Sequence, residues 1–134
     1  MSEIDVPENL RYTVEHEWIE QVAPGRVRVG ITAYAQDQLG DVVFVQLPAV
    51  DDEVTAGESF AEVESTKSVS DIYGPLAGSV AAANDALDGT PELVNSSPYG
   101  DGWLIEIDVA DGTDLDAVLA DLLDADAYRK VIDS

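Results

Sequence analysis

One lysine stands apart from the other charged residues of this sequence. The 134-residue chain has six basic residues, namely Arg11, Arg26, Arg28, Lys67, Arg129 and Lys130. Between Arg28 and Arg129, every charged residue other than Lys67 is acidic. A primary amine can be acylated or can form a Schiff base, whereas most lysines are simply solvated side chains. The residues around Lys67 decide among these roles.

The sequence around Lys67 indicates a bend between two strands. Residues 59–65 alternate between the two faces of a strand and predict one that runs up to the lysine, and residues 68–73 predict a strand that leads away. Thr66 and Ser68 are small and leave the amine open to an enzyme. An exposed lysine is a poor nucleophile without burial or a cationic neighbour. We therefore interpret Lys67 as an attachment point rather than a Schiff-base catalyst.

Other reactive residue types are scarce. The chain has no cysteine and one histidine, His16, which excludes disulfides and thiol nucleophiles and argues against an ordinary zinc site. The sequence also contains no Gly-rich phosphate-binding loop. We expect a non-catalytic protein without a metal.

The composition indicates one folded domain, over residues 1–134, in an aqueous compartment. Hydrophobic residues make up 46% of the chain, no apolar run is long enough to span a bilayer, and the acidic first residues do not resemble a targeting segment. The expected location is the cytoplasm. The net charge of −22 disfavours nucleic acid and anionic membranes as partners. It is consistent both with a solvated surface and with steering toward basic partners.

The elements that must position Lys67 are mainly strands. After a loose leader over residues 1–10, the patterns predict one strand or two short strands over 12–22 and further strands over 26–31, 41–47, 59–65, 68–73, 78–84 and 103–109. Thr32 and Gly40 delimit a short helix, residues 85–101 predict an irregular connection, and helices capped by Asp114 and Asp124 end the chain. This pattern favours a small antiparallel sandwich or barrel with a core over about 12–109 and C-terminal helices over about 114–132.

Four separated blocks resemble the glycine cleavage H-protein family, and the resemblance extends over about residues 10–132. The blocks are His16-Glu-Trp18, residues 30–48, the lipoyl-attachment motif at residues 63–78, and residues 92–105. The resemblance implies a barrel-sandwich hybrid fold of the lipoyl-domain type, with short added helices. The chain departs from the family at Thr66, where an apolar residue is usual, and at Ser68, where alanine is usual.

The resemblance also implies a function and its residues. It implies a lipoyl group in amide linkage to Lys67, with Glu64 and Gly78 assisting recognition by the lipoylating enzyme. It implies a carrier that takes an aminomethyl group from a pyridoxal-phosphate glycine decarboxylase to a tetrahydrofolate-dependent aminomethyltransferase. A dihydrolipoamide dehydrogenase then reoxidises the carrier. The family associates Glu17, beside His16, with a cleft that protects the loaded arm, although a histidine next to an aromatic residue is more often structural.

Three alternative functions remain open from the residues alone. The chain could be a lipoyl domain or lipoyl relay for 2-oxoacid dehydrogenases, although those domains are usually shorter and joined to catalytic domains. It could be a biotin carrier, but a biotin acceptor lysine normally lies between methionines and the only methionine here is Met1. It could also be an acidic binding protein without any covalent cofactor.

Overall fold

Short strands and short helices make up the computed structural model, which describes residues 6–133, with only the backbone of residue 133. The strands are β1 (Arg11–Tyr12), β2 (Glu17–Ala23), β3 (Arg26–Ile31), β4 (Val42–Gln46), β5 (Glu53–Val54), β6 (Ser59–Ser65), β7 (Val69–Tyr73), β8 (Gly78–Ala83) and β9 (Ile105–Val109). The helices are α1 (Ala33–Leu39), α2 (Ala86–Gly89), α3 (Leu93–Ser96), α4 (Leu115–Asp121) and α5 (Ala125–Asp133).

The strands form two antiparallel sheets. The larger sheet has the order β1-β2-β3-β9-β8-β5, and the smaller has the order β4-β6-β7. Among the described strands neither sheet closes into a barrel. The sequence-based expectation of a mainly β fold with short added helices is thus confirmed, in the form of two open sheets.

Buried side chains from both sheets form the core. The inner face of the smaller sheet contributes Val45, Val63 and Ile72 to one hydrophobic cluster. A second cluster lies on the larger sheet around Val29, Ile105 and Ile107. Leu47 and Phe60 pack against both clusters and so join the two sheets. Both side chains are partly buried.

Three helices begin where the sequence indicated. The Thr32 hydroxyl accepts a hydrogen bond from the backbone N–H of Ala35 at 3.2 Å. The Asp114 and Asp124 carboxylates accept from the N–H groups three residues later, at 3.3 Å and 2.8 Å. Each bond satisfies an N–H that the first turn leaves without a helical partner. Within residues 6–133 no helix has the length and apolar character needed to cross a membrane.

Two of the expectations were wrong in detail. The predicted irregular connection over residues 85–101 contains α2 and α3, whose four residues are too few to show a helical period. Residues 1–5 of the predicted leader lie outside the described residues, but Val6 and Leu10 are buried. Both side chains pack with Trp18 and Tyr128 in a third hydrophobic cluster.

Candidate functional site

Lys67 lies in the turn between β6 and β7, exposed to solvent together with Thr66 and Ser68. The Ser65 N–H donates to the carbonyl oxygen of Ser68 at 2.8 Å and closes the turn. The Ser65 hydroxyl oxygen accepts from the N–H groups of Lys67 and Ser68, both at 3.1 Å. The turn backbone is therefore held by one serine residue, while the lysine side chain stays exposed.

The end of α1 supports the lysine from one side. Gly40 has φ +83°, and the position of a Cβ there would lie 3.3 Å from Cε of Lys67. The absence of a side chain therefore lets the lysine stem lie against the backbone. The Thr66 N–H donates to the Asp41 carbonyl at 3.0 Å and ties the hairpin to the same corner.

Asn95, on α3, fixes that corner. Its amide nitrogen donates to the Gly40 carbonyl at 2.8 Å and to the Gln36 side-chain oxygen at 3.0 Å. Its amide oxygen accepts from the Val42 N–H at 2.8 Å. One side chain thus holds both ends of the tight Gly40–Val42 link. Sequence reasoning missed this role because the partners are more than fifty residues away.

The resemblance implies that Glu64 and Gly78 each assist lipoylation, and the structure places them in different sheets. Glu64 lies on β6, three residues before Lys67, and is half-buried. Gly78 begins β8 in the larger sheet, paired with Val54 and Val109. A Cβ at Gly78 would stand 2.2 Å from the Asp108 carbonyl oxygen. Gly78 is therefore a site of close strand packing.

Glu17 is a buried carboxylate, 1% exposed, at the start of β2. One carboxylate oxygen accepts from the Tyr73 N–H at 2.7 Å, and the other accepts from the Thr13 hydroxyl at 3.2 Å. Burial raises the pKa of Glu17 to about 7, although the two hydrogen bonds and the nearby Glu15 also act on it. The carboxyl thus links β2 to the end of β7, the strand that leads away from Lys67.

His16 precedes Glu17 in the left-handed backbone region, at φ +69°. Its Nδ1 lies 2.9 Å from the hydroxyl of Tyr128, and its ring lies 4.8 Å from the ring of Tyr34. Burial lowers the pKa of His16, while Glu15 acts in the opposite direction. These contacts favour neutral imidazole in a structural contact with α5.

Tyr128 joins the C-terminal helix to the strands. Its hydroxyl lies 2.7 Å from the Thr32 hydroxyl, and its ring stacks on Tyr12 with centroids 4.7 Å apart. Burial raises the pKa of Tyr128 above its ordinary value. His16, Thr32 and Tyr128 therefore form one buried polar junction, which sequence reasoning did not assemble because its members lie up to 112 residues apart.

Comparison with known proteins bears on what this arrangement does. Residues 10–134 match the family model described as Glycine cleavage H-protein. A glycine cleavage system H protein from Nocardia farcinica is 63% identical over 126 residues, which cover 94% of this chain and 96% of that protein. A glycine cleavage system H protein from Mycobacterium tuberculosis is 61% identical over 127 residues, covering 93% of this chain and 95% of that protein.

A solved structure shares the fold. The crystal structure of a glycine cleavage system H protein from Mycobacterium marinum superposes with a TM-score of 0.84 at 40% sequence identity. The superposition covers 96% of this chain and 100% of that one.

Proposed function

The chain belongs to the glycine cleavage H-protein family, whose role is that of a lipoyl carrier, and from that premise we propose that Lys67 bears the lipoyl group. The observation that carries the proposal is the exposed amine on a closed hairpin turn. The residues fit the group, because Thr66 and Ser68 leave the amine open and Lys67 makes no ion pair with the side chains that the structure describes.

Attachment requires a defined change at Lys67. The amine loses a proton and forms an amide bond with the acyl carbon of an activated lipoyl donor, whose leaving group departs. The hairpin presents the amine to the modifying enzyme, and Gly40 leaves room for the stem beside it. When bound, the lipoyl group would supply a disulfide that can accept the one-carbon cargo on one sulfur and a proton on the other, with the two electrons coming from the glycine that is cleaved. Lysine and lipoyl together reach on the order of 14 Å, by bond lengths like those of the backbone.

We propose that the carrier serves three enzymes and is not itself catalytic. It receives the aminomethyl group from a pyridoxal-phosphate glycine decarboxylase and delivers it to a tetrahydrofolate-dependent aminomethyltransferase, and a dihydrolipoamide dehydrogenase reoxidises it. Tethering supports this role because it raises the local concentration of cargo at each partner. We place this cycle in the cytoplasm.

Glu64 and Gly78 are the residues that we propose assist the lipoylating enzyme, by different means. Glu64 offers a carboxylate on the strand that leads into Lys67. Gly78 acts through the packing of β8 on β9, which no larger residue permits. Its contribution is therefore to the fold of the domain rather than to a direct contact at the turn.

We propose that Glu17 and His16 help to protect the loaded arm. Glu17 is buried at the end of β7, so its carboxyl can shape a cleft through the Tyr73 backbone, and His16 holds α5 beside it. The two hydrogen bonds leave further acceptor positions on the carboxyl group, so a direct contact with a cationic cargo requires only that the cargo reach a side chain that is 1% exposed. With Glu17→Ala the Tyr73 N–H loses its acceptor, so the loaded group should be lost faster than in wild type, and an unchanged decay rate would refute the proposal.

Intact mass and peptide mapping of the protein from its native cell test the attachment. A lipoyl group adds about 188 Da and a biotinyl group about 226 Da. We expect the lipoyl mass on the Lys67 peptide, and we expect it to persist in Lys130→Arg, which removes the other lysine. A biotinyl mass, or an unmodified chain, would overturn the proposal.

A further inference from the structure

Two exposed apolar side chains flank a half-buried glutamate beside Lys67 on the solvent face of the smaller sheet. Phe44 on β4 pairs with Glu64 on β6, which pairs with Val69 on β7. Residues directly opposite in antiparallel strands point to the same face, with Cβ atoms about 5 Å apart. Phe44 is 48% exposed and Val69 is 57% exposed. We call these three residues the outer row, and Val69 follows Lys67 by only two positions.

A β-bulge directs Phe44 outward. The register of β4 against β6 shifts between Val42 and Phe44, so that Val43 and Phe44 are both exposed between the buried Val42 and Val45. Strict alternation would leave one exposed residue between two buried ones. Bulges of this kind re-aim side chains near functional sites. The extra residue of the bulge therefore places an additional apolar side chain on the exposed face beside the hairpin.

Carboxylates surround the outer row. Glu62 and Asp71 are paired with each other in the next row of the same face. Asp41 is exposed at the corner that holds the hairpin. Lys67 is the single basic residue between Arg28 and Arg129 in the sequence. The partner that complements this face has an apolar pocket edged by lysine or arginine side chains.

We propose that the outer row is the docking surface for the enzyme that acylates Lys67, through an apolar pocket edged with basic side chains. The inference rests on the proposed function of Lys67. Amide formation brings Nζ itself into that enzyme's active site, so the enzyme must cover the residues that flank the hairpin. Enzymes that act on the end of the loaded arm meet their target on the order of 14 Å from the hairpin. Exposed apolar side chains at the base of the lysine thus suit the first enzyme and not the later ones.

The test compares three substitutions in apo-protein. A lipoate–protein ligase, lipoic acid and Mg-ATP convert the amine to the lipoyl amide with release of AMP and pyrophosphate, and intact mass gives the initial rate at each protein concentration. Phe44→Thr and Val69→Thr replace apolar side chains in the row by a polar residue that suits strands. Val50→Thr is the matched control, because Val50 is 55% exposed in the connection between β4 and β5.

We expect Phe44→Thr to lower kcat/KM for lipoylation at least about tenfold, through KM, as removal of an aromatic anchor does. Val69→Thr should lower it less, and Val50→Thr should match wild type. The wild-type rate should also fall as salt is raised, because the carboxylates steer the encounter. Equal KM values for Phe44→Thr, Val50→Thr and wild type would overturn the docking surface while leaving lipoylation of Lys67 in place.

Two further outcomes assign the face to another occupant. Fully lipoylated Phe44→Thr should exchange the aminomethyl group with the glycine decarboxylase at the wild-type rate, and a selective loss there would assign the row to that enzyme. Wild type should be monomeric at assay concentrations, and a dimer that Phe44→Thr dissociates would assign the row to a second copy of the chain. If wild type gains no lipoyl mass at all, the proposed function fails together with this inference.

Discussion

The Lys67 hairpin and the polar junction around Tyr128 hold their functional side chains in opposite ways. The hairpin fixes its backbone through Ser65 and leaves its lysine in solvent. The junction buries the Tyr128 hydroxyl against Thr32 and His16. An exposed group on a fixed backbone can be exchanged at little cost in stability, whereas a buried hydrogen-bonded group cannot. The contrast predicts that chemistry and stability can be separated by mutation.

The largest expected effect is on the chemistry alone. Lys67→Arg keeps the positive charge but removes the primary amine, so we expect complete loss of the lipoyl mass and of carrier activity. The melting temperature should stay within about 2 °C of wild type, as for other exposed substitutions. Lys130→Arg is the control and should keep both properties. A lipoyl mass on another residue of Lys67→Arg would contradict the separation.

The next effect is on stability alone. Tyr128→Ala removes a fully buried ring stacked on Tyr12 and should cost about 4 kcal/mol in the free energy of unfolding. Phe44→Ala removes a ring of similar size from the exposed face and should cost less than about 1 kcal/mol. Denaturant unfolding measures both. Comparable losses would show that the outer face is packed more tightly than the structure indicates.

Tyr128→Phe separates the contribution of the hydrogen bonds to stability from the contribution of ring packing at the junction. It keeps the stacked ring and removes the hydroxyl, which leaves the Thr32 hydroxyl and His16 Nδ1 without that partner. We expect about 1–2 kcal/mol from the hydrogen bonds, with the remainder of the Tyr128→Ala loss due to packing. A Tyr128→Phe protein as stable as wild type would mean that water replaces the hydroxyl.

These two regions also differ in how much the sequence reveals. The hairpin, the α1 limits at Thr32 and Gly40, and the caps Asp114 and Asp124 follow from patterns within a few residues. The junction depends on contacts between residues at opposite ends of the chain, and the pairing order of the strands decides which side chains meet there. Periodicity predicts that a strand exists. It does not predict which distant backbone group a carboxylate on that strand will contact.

Glu17 illustrates that limit. The family resemblance implied a residue of the arm cleft, and nothing local indicated that Glu17 would be buried or that it would bind the Tyr73 N–H, 56 residues away. Asn95 is similar, since a Pro- and Gly-rich stretch gave no hint that its amide would hold the Gly40 corner. Residues whose partners are distant in sequence emerge only from the assembled sheets.

A smaller, pH-dependent effect tests the burial of Glu17. In the folded protein Glu17 keeps its proton up to about pH 7, whereas the unfolded chain releases it near 4.5. The folded state therefore binds more protons in this window, and stability falls as pH rises through it, by at most about 1.4 kcal/mol per pH unit. Glu17→Gln keeps an acceptor for the Tyr73 N–H and should flatten that slope. Unfolding free energies measured from pH 5 to 7.5 check it.

His16 gives the free energy of unfolding the opposite dependence on pH. Because its pKa is lowered in the folded protein, the unfolded chain binds more protons below about pH 6.5, and stability falls as pH falls. His16→Asn suits the left-handed backbone and should remove this acid-side loss. If Glu17→Gln and His16→Asn changed the slope in the same direction, the assigned burial of one of them would be wrong.

The smallest expected effect separates backbone support from side-chain exposure within the hairpin itself. The Ser65 hydroxyl accepts from two turn N–H groups, so Ser65→Ala should cost about 1 kcal/mol and slow lipoylation severalfold because the amine is less well positioned. Ser68→Ala changes an exposed side chain to the alanine usual in the family and should alter neither property. Ser65 and Ser68 lie three positions apart, and each substitution removes only a hydroxyl oxygen. The hydrogen bonds of the Ser65 hydroxyl are therefore what distinguishes the two variants. Equal rates for both variants, measured by intact mass, would mean that the lysine needs exposure but no fixed turn, and that the two regions differ in burial alone.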